Sequence, residues 1–307
     1  MELILQRLAT NATSDTASLE ERCKLITSLT NLNINKSQLT YVTPNVLRCT
    51  DIPEDSDSFA TTKDLLRAFN DLVVNKEGKN AEQIDVTLIK DTLRLSDFGL
   101  LAMDMDSTLI TIECIDEIAD MHGLKPQVAA ITEAAMRGEL DFAESLTKRV
   151  ALLAGLPATA LQQVYDERLQ LSLGANELIA AVQAAGIKTL LVSGGFTFFT
   201  ERVASRLNLT FNHANQLEII DGKLTGKVIG TIVDADEKRR TVERACTALG
   251  ITPQQAIVMG DGANDLAMMG IAGLSVAFRA KPIVRASADV ALNYVGLDGV
   301  LNLLTAP

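Results

Sequence analysis

LLAMDMDSTL, residues 100–109, puts two aspartates, Asp104 and Asp106, directly after an apolar run with the character of a buried strand. Carboxylates two residues apart on an extended chain end point to the same side. At the carboxyl edge of an open α/β sheet, that side faces the crevice where ligands bind. One carboxylate can attack while its neighbour handles protons, and together they attract a hard cation such as Mg²⁺. Alone, the stretch is better read as a solvated turn after a strand. What decides between the two is whatever else the chain brings to the same edge.

Three further pieces fit. LLVSGG (190–195) is an apolar run that ends in a hydroxyl and two glycines, where backbone N–H groups can approach a phosphate closely. DADEKRRT (234–241) carries Lys238 at the start of a helical pattern, although a charge run of this kind usually marks a solvated face. VMGDGAND (258–265) is again a strand running into a glycine-rich turn, here bearing Asp261 and Asp265. Those two acids also suit a helix cap and a first-turn residue favoured by the helix dipole. The three strand-linked pieces all lie at carboxyl ends, so they can converge on one crevice.

From about residue 95 onward the pattern is α/β. Strands are expected at 100–103, 189–192, 256–259, 274–277 and 290–292, with amphipathic helices such as 176–185 and 197–207 between them. Two stretches break the alternation. LEIIDGKLTGKVI (217–229) signals a hairpin around Asp221-Gly222, and 113–173 is helical almost throughout, as a cap inserted after the first catalytic strand would be. Residues 1–95 differ in kind. An apolar start at 3–8, a helix near 18–29, strands near 38–42 and 46–52 about a Thr43-Pro44-Asn45 turn, a helix at 62–74, a turn at 76–79 and a strand at 84–89 suit a small ferredoxin-like α+β domain. The expected division is 1–95 for this domain, 96–112 with 176–307 for a Rossmann-like core, and 113–175 for the cap.

With a formal charge of −11 over 307 residues, the chain is a poor candidate for nucleic acid or an anionic membrane as its main partner. An anionic substrate needs locally placed cations. Four widely spaced cysteines have no metal or redox spacing, which fits reduced thiols in a cytosolic protein. No stretch reads as a secretory signal or a membrane span, so a cytoplasmic protein is expected.

The four pieces, in this order, resemble the haloacid dehalogenase-like hydrolases. ECIDEIA (113–119), AMRGELDF (135–142), KRVALL (148–153), SGGFTFF (193–199), DGKLTG (221–226) and GDGAND (260–265) narrow the resemblance to the bacterial members that act on phosphoserine, over roughly residues 95–305. The resemblance implies Mg²⁺-dependent hydrolysis of O-phosphoserine, the last step of serine biosynthesis. In it Asp104 attacks phosphorus and forms an aspartyl-phosphate, while Asp106 serves as acid and then base. The metal falls to Asp104, the Asp106 main-chain carbonyl and Asp261, with Asp265 close by. Ser193, Gly194 and Lys238 bind the phosphoryl oxygens, and Asn264 joins that polar shell.

In the cap, the resemblance gives Glu113 the substrate ammonium, Arg149 its carboxylate, and Met136 with Phe142 an apolar lid. His122 and His213 share no spacing with a partner, which argues against histidine-based or zinc-based hydrolysis. Arg279, in FRAKP (278–282), departs from the pattern and receives no role. Two alternatives stand beside this expectation. One is a relative acting on another small ester such as phosphohomoserine, or transferring the phosphoryl group to another hydroxyl. The other is an amino-acid sensor, since residues 1–95 resemble sensing domains in outline and suit a regulatory layer; a homodimer is compatible with either.

Overall fold

The computed structural model describes residues 1–8, 16–30, 32, 34, 36–52, 62–66, 83–90 and 92–305. At the N-terminus, β1 (Glu2–Arg7), β2 (Leu39–Thr43), β3 (Val46–Cys49) and β4 (Ile84–Ile89) form an antiparallel sheet in the order β2-β3-β1-β4. That is the ferredoxin-like order expected from the element sequence. The period-2 alternation of β1 explains its two faces. Leu3 and Leu5 turn to an apolar cluster with Leu47, Val86 and Leu88, closed by Leu19, Cys23 and Ile26 of the helix Thr16–Thr30. Residues 62–66 are helical; the rest of the helix expected at 62–74, and the turn at 76–79, lie outside the described residues.

The other face of this sheet is buried and mixed: Ile4, Val46 and Ile89 join the core's apolar cluster, and polar side chains lie between them. Glu2 Oε2 takes a hydrogen bond from Arg48 Nη1 at 3.0 Å, and Arg48 Nη2 donates to the Asn302 carbonyl at 2.8 Å. Asp85 accepts the backbone N–H groups of Asn293, Tyr294 and Val295 at 2.7, 3.0 and 3.0 Å. Beside it, β5 (Leu93–Arg94) pairs in parallel with β13 (Leu304–Thr305), so the end of the chain returns to the connection between the two sheets.

The core sheet joins β6 (Leu100–Met103), β7 (Lys188–Phe196), β8 (Phe211–Ile220), β9 (Lys223–Ile229), β10 (Ala256–Gly260), β11 (Leu274–Phe278) and β12 (Val290–Leu292) in the order β12-β11-β10-β6-β7-β8-β9. All neighbours are parallel except β8 and β9. Successive residues serve opposite faces. Leu101, Met103, Leu191 and Met259 enter one apolar cluster, and Leu100, Ala102, Leu190 and Val258 enter the other. Helices Ala175–Ala184 and Thr197–Leu207 cover the first face; Ala235–Leu249 and Pro282–Ser287 cover the second. The chain runs from β6 outward to β7 and β8, then returns to β10 on the far side of β6. The carboxyl end of β6 is therefore the switch point where such sheets open a crevice.

Four helices, Cys114–Met121, Lys125–Met136, Phe142–Ala151 and Thr159–Glu167, make up the expected insertion. A bridge between Ile110 and Leu171 ties its two ends together, flanked by Thr111 N–H to Gln170 O at 3.0 Å and Ser172 N–H to Leu109 O at 2.9 Å. The hairpin has a structural task the sequence did not announce. Its turn, with Asp221 and Gly222 at φ of 50° and 73°, meets the cap through Ala158 N–H to Gly222 O at 2.8 Å, and Gly155 N–H reaches Leu224 O at 2.8 Å. The hairpin's first strand is also longer than expected. β8 starts at Phe211, and residues 211–215 are its parallel contact with β7. The polar residues of FNHANQ hide that strand from a hydrophobic pattern. All four cysteines are buried and unbridged. Among the described residues no helix is long and apolar enough to cross a membrane.

Candidate active site

The chain leaves β6 through Asp104 into a tight five-residue turn, Met105–Leu109, where Ser107 takes a left-handed φ of 56°. This turn folds both aspartates back over the sheet edge. Asp104 is 5% exposed, and its Oδ1 accepts from Met105 N–H at 2.7 Å and from Lys238 Nζ at 2.8 Å. Oδ2 has no protein partner among the described residues. Asp106 Oδ2 accepts from the Cys114 N–H at 3.2 Å, whereas its buried Oδ1 has no partner. The first residue of the cap's first helix therefore holds the second aspartate.

β10 delivers the other acids. Asp265 Oδ2 accepts the N–H groups of Asp261 and Gly262 at 3.1 and 3.0 Å, so it does cap its turn. Its Oδ1 takes a second task and accepts from Lys238 Nζ at 2.7 Å. The close fit requires glycine at 260, because a Cβ there would lie 2.6 Å from Asp265 Cβ. Lys238, completely buried, is the fourth residue of the helix Ala235–Leu249, whose N-cap Asp234 accepts from Glu237 N–H. Its charge run is indeed split: Arg239 and Arg240 pair with acids on the surface of their own helix while Lys238 turns inward.

One ammonium thus faces a crowd of carboxylates. Burial and the neighbouring Asp265 raise the Asp104 carboxyl well above the usual range, against the pull of Lys238. Burial, then Asp265 and Glu113, push Asp261 up to about 7; burial and then Glu113 push Asp106 up to about 8. Burial alone depresses Lys238, but Asp104 and Asp265 reverse this and hold it raised. Carboxylate oxygens of Asp104, Asp261 and Asp265 lie within 4.8 Å of one another, a donor set of hard oxygens with excess negative charge. It suits a divalent cation.

Ser193 ends the straight part of β7, 1% exposed, and its Oγ accepts from Gly195 N–H at 2.9 Å. The following helix, Thr197–Leu207, has no side-chain cap at Phe196. Phe142 of the cap lies on Gly194, where a Cβ would come within 2.8 Å of its Cζ. Asn264 folds over Gly262 in the β10 turn, where a Cβ would collide with it. Glu113 accepts from Ser107 Oγ at 2.7 Å. Arg149 has a buried Nε without a hydrogen-bond partner; burial lowers its pKa, and Asp116, Glu113 and Asp106 work against that shift.

The structure separates the expected lid pair. Met136 ends the helix Lys125–Met136, just before the left-handed Gly138, and is 74% exposed, so of the pair it is Phe142 that lies against the Ser193–Gly195 turn. Two residues escaped the sequence analysis. Thr108, fully buried, donates from Oγ1 to Asp261 Oδ1 at 3.3 Å and so ties the β6 turn to the β10 turn. Its signal was its place in the quoted stretch. Asn215 had none, being a polar residue inside an unrecognised strand segment. His213 stands 3.4 Å from Glu237, and its side chain is 40% exposed.

Known proteins share the sequence and the fold. The family model described as haloacid dehalogenase-like hydrolase matches residues 98–273. A phosphoserine phosphatase of Polaromonas sp. is 56% identical over 224 residues, 71% of this chain and 95% of that protein. A HAD-family hydrolase from Salmonella enterica subsp. enterica serovar Typhi superposes with a TM-score of 0.81 at 32% identity, covering 99% of both chains. A phosphoserine phosphatase solved as a phospho-aspartyl intermediate analogue covers 68% of this chain and 99% of its own, with a TM-score of 0.64 and 38% identity. The chain belongs to the haloacid dehalogenase-like hydrolases.

Proposed function

We propose that the chain hydrolyses O-phosphoserine to serine and inorganic phosphate through an aspartyl-phosphate on Asp104, the last step of serine biosynthesis. The observation that carries the substrate is the pair the cap holds beside Asp106: an acidic residue, Glu113, and a half-buried guanidinium, Arg149, whose buried Nε lacks a partner. An α-amino acid offers the matching charges, an ammonium for Glu113 and a planar carboxylate for the Arg149 fork. The likeness to phosphoserine phosphatases supports the same substrate.

In this mechanism the free Oδ2 of Asp104 attacks phosphorus. Asp106, which burial and Glu113 push up to about 8, is suited to hold a proton and donate it to the departing serine oxygen, whereas Lys238, 2.8 Å from Asp104 Oδ1, favours the ionised nucleophile. The same carboxylate then takes a proton from the water that cleaves the acyl phosphate. The Ser193 hydroxyl, the Gly194 backbone and Lys238 stabilise the equatorial oxygens as charge gathers on them. Asn264 adds to that polar shell, and Phe142 keeps bulk water from the phosphoryl group. Asp104, the Asp106 carbonyl and Asp261 would hold Mg²⁺, oriented by Asp265; when bound, it supplies charge neutralisation between nucleophile and phosphate.

The test is phosphate release from phosphoserine, phosphohomoserine and phosphoglycolate by the wild type and Arg149→Ala with Mg²⁺ present. The expected result is a preference for phosphoserine that Arg149→Ala abolishes, chiefly by raising KM. Unchanged selectivity in the variant would refute the cap assignment.

A further inference from the structure

Asn215 of β8 lies 1% exposed behind the Ser193–Gly195 turn, and the reaction described above gives it nothing to do. Its amide is nevertheless engaged at both ends. Nδ2 donates to the Gly194 carbonyl at 2.7 Å, and Oδ1 accepts from the Val233 backbone N–H at 2.8 Å. A trans peptide holds its C=O and its N–H in one plane, pointing in opposite directions. Fixing the Gly194 carbonyl therefore also aims the Gly195 N–H, which donates to Ser193 Oγ at 2.9 Å. That bond fills one lone pair of the hydroxyl and leaves its hydrogen for a phosphoryl oxygen.

The second bond of the amide reaches the other half of the phosphate site. Val233 is fully buried and directly precedes Asp234, the N-cap of the helix that carries Lys238. Asp234 in turn accepts the backbone N–H of Lys238 at 2.9 Å. A short path of covalent and hydrogen bonds thus runs from the Ser193 hydroxyl, through one side-chain amide, to the residue that supplies the ammonium. At Asn215 the parallel register between β7 and β8 shifts: Ser193 opposes Ala214, but Phe196 opposes Asn215. The shift leaves the Gly194 carbonyl without a regular ladder partner, and the Asn215 side chain takes that place.

We infer that Asn215 is a positioning residue for phosphoryl transfer, one amide that holds the Ser193 hydroxyl and the Lys238 helix in fixed relation across the crevice. It acts through those two groups and touches neither substrate nor metal. The inference rests on phosphoryl transfer at this site and is independent of which ester is consumed.

The decisive experiment is a double-mutant cycle with Mg²⁺ present, using both p-nitrophenyl phosphate and phosphoserine as substrates. Asn215→Ala is expected to lower kcat about 10- to 100-fold while KM changes less than about threefold. In a Ser193→Ala background the same substitution is expected to cost less by a factor of about five or more, because the hydroxyl it aims is gone. Asn215→Asp has nearly the same shape and keeps the acceptor for Val233 N–H, but sets an oxygen against the Gly194 carbonyl. It keeps the inference testable should the alanine variant not fold, and it is expected to reproduce the kcat loss with a Tm lowered by a few degrees. A folded Asn215→Asp enzyme with kcat within about twofold of wild type would overturn the inference. So would losses that multiply independently in the double variant. Wild-type turnover of p-nitrophenyl phosphate without turnover of phosphoserine would refute the proposed substrate and leave the cycle on Asn215 valid.

Discussion

Asp104 and Asp85 are both buried carboxylates on or beside sheet strands, yet the chain answers them in opposite ways. Asp85, fully buried on β4, receives three consecutive backbone N–H groups from residues 293–295. Asp104 receives one backbone N–H and half of an ammonium that Asp265 shares. In the first arrangement three fixed dipoles favour the charged carboxylate against the burial that raises its pKa, and no second carboxylate crowds it. In the second, the carboxylates of Asp104, Asp106, Asp261 and Asp265 crowd around one buried lysine, and charge balance waits for a cation and a phosphoryl group. One carboxylate met by three backbone donors makes a joint; several that crowd one ammonium, incompletely balanced, make a binding site.

The largest effect should come from breaking the incomplete cluster. Asp104→Asn is expected to lower phosphate release about 10⁴-fold or more, since the nucleophile is lost. In metal-free protein its Tm should equal or exceed that of wild type, because one crowded carboxylate has been neutralised. Phosphate release within tenfold of wild type would remove Asp104 from its role. Breaking the joint should do the reverse. Asp85→Ala leaves three N–H groups without their acceptor and is expected to cost about 2–3 kcal/mol in urea unfolding, with kcat held within about twofold. A large fall in kcat at unchanged stability would show that the joint communicates with the site.

The smallest effect is one of pH. In chelator-treated protein Asp106 and Asp261 are raised to about 8 and about 7. Between the ordinary carboxylate range and those values the folded state binds protons that the unfolded chain has released, so stability must fall as pH rises through this window. A Tm lower by a few degrees at about pH 8 than at about pH 6 is expected by calorimetry, and Asp106→Asn should flatten the slope. A Tm that rises with pH would mean that these acids are not crowded together.

The balanced and unbalanced clusters also differed in how far they could be seen in the sequence. The unbalanced one announces itself, because catalytic acids sit at the ends of apolar runs and next to glycines. β6 and β12 form at the expected residues, and the helix Thr197–Leu207 does as well. Asp104, Asp261, Asp265 and Lys238 meet as the motifs imply. Asp85 gave no sign. It sits in IDVTLI, an ordinary strand sequence, and its partners are backbone groups whose identity no side chain reveals. Asn215 was hidden for a related reason, since both its partners are also backbone groups. Met136 shows the converse. A motif can name a lid residue, but whether it covers the crevice depends on the cap's posture, and here it is exposed.

The polar side chains on the underside of the N-terminal sheet, set among Ile4, Val46 and Ile89, have a consequence for the order of assembly. The acceptors and donors that meet Gln6, Arg48 and Asp85 stand 296, 254 and 208–210 residues further along the chain. During synthesis this sheet is complete long before its counterpart emerges. A wholly apolar underside would spend that interval exposed and prone to stick to other chains. Glu2, Gln6, Arg48 and Asp85 let water stand in for the absent segment until residues 293–302 arrive, and docking then exchanges solvent bonds for protein ones. The joint is thus built so that its earlier half can wait.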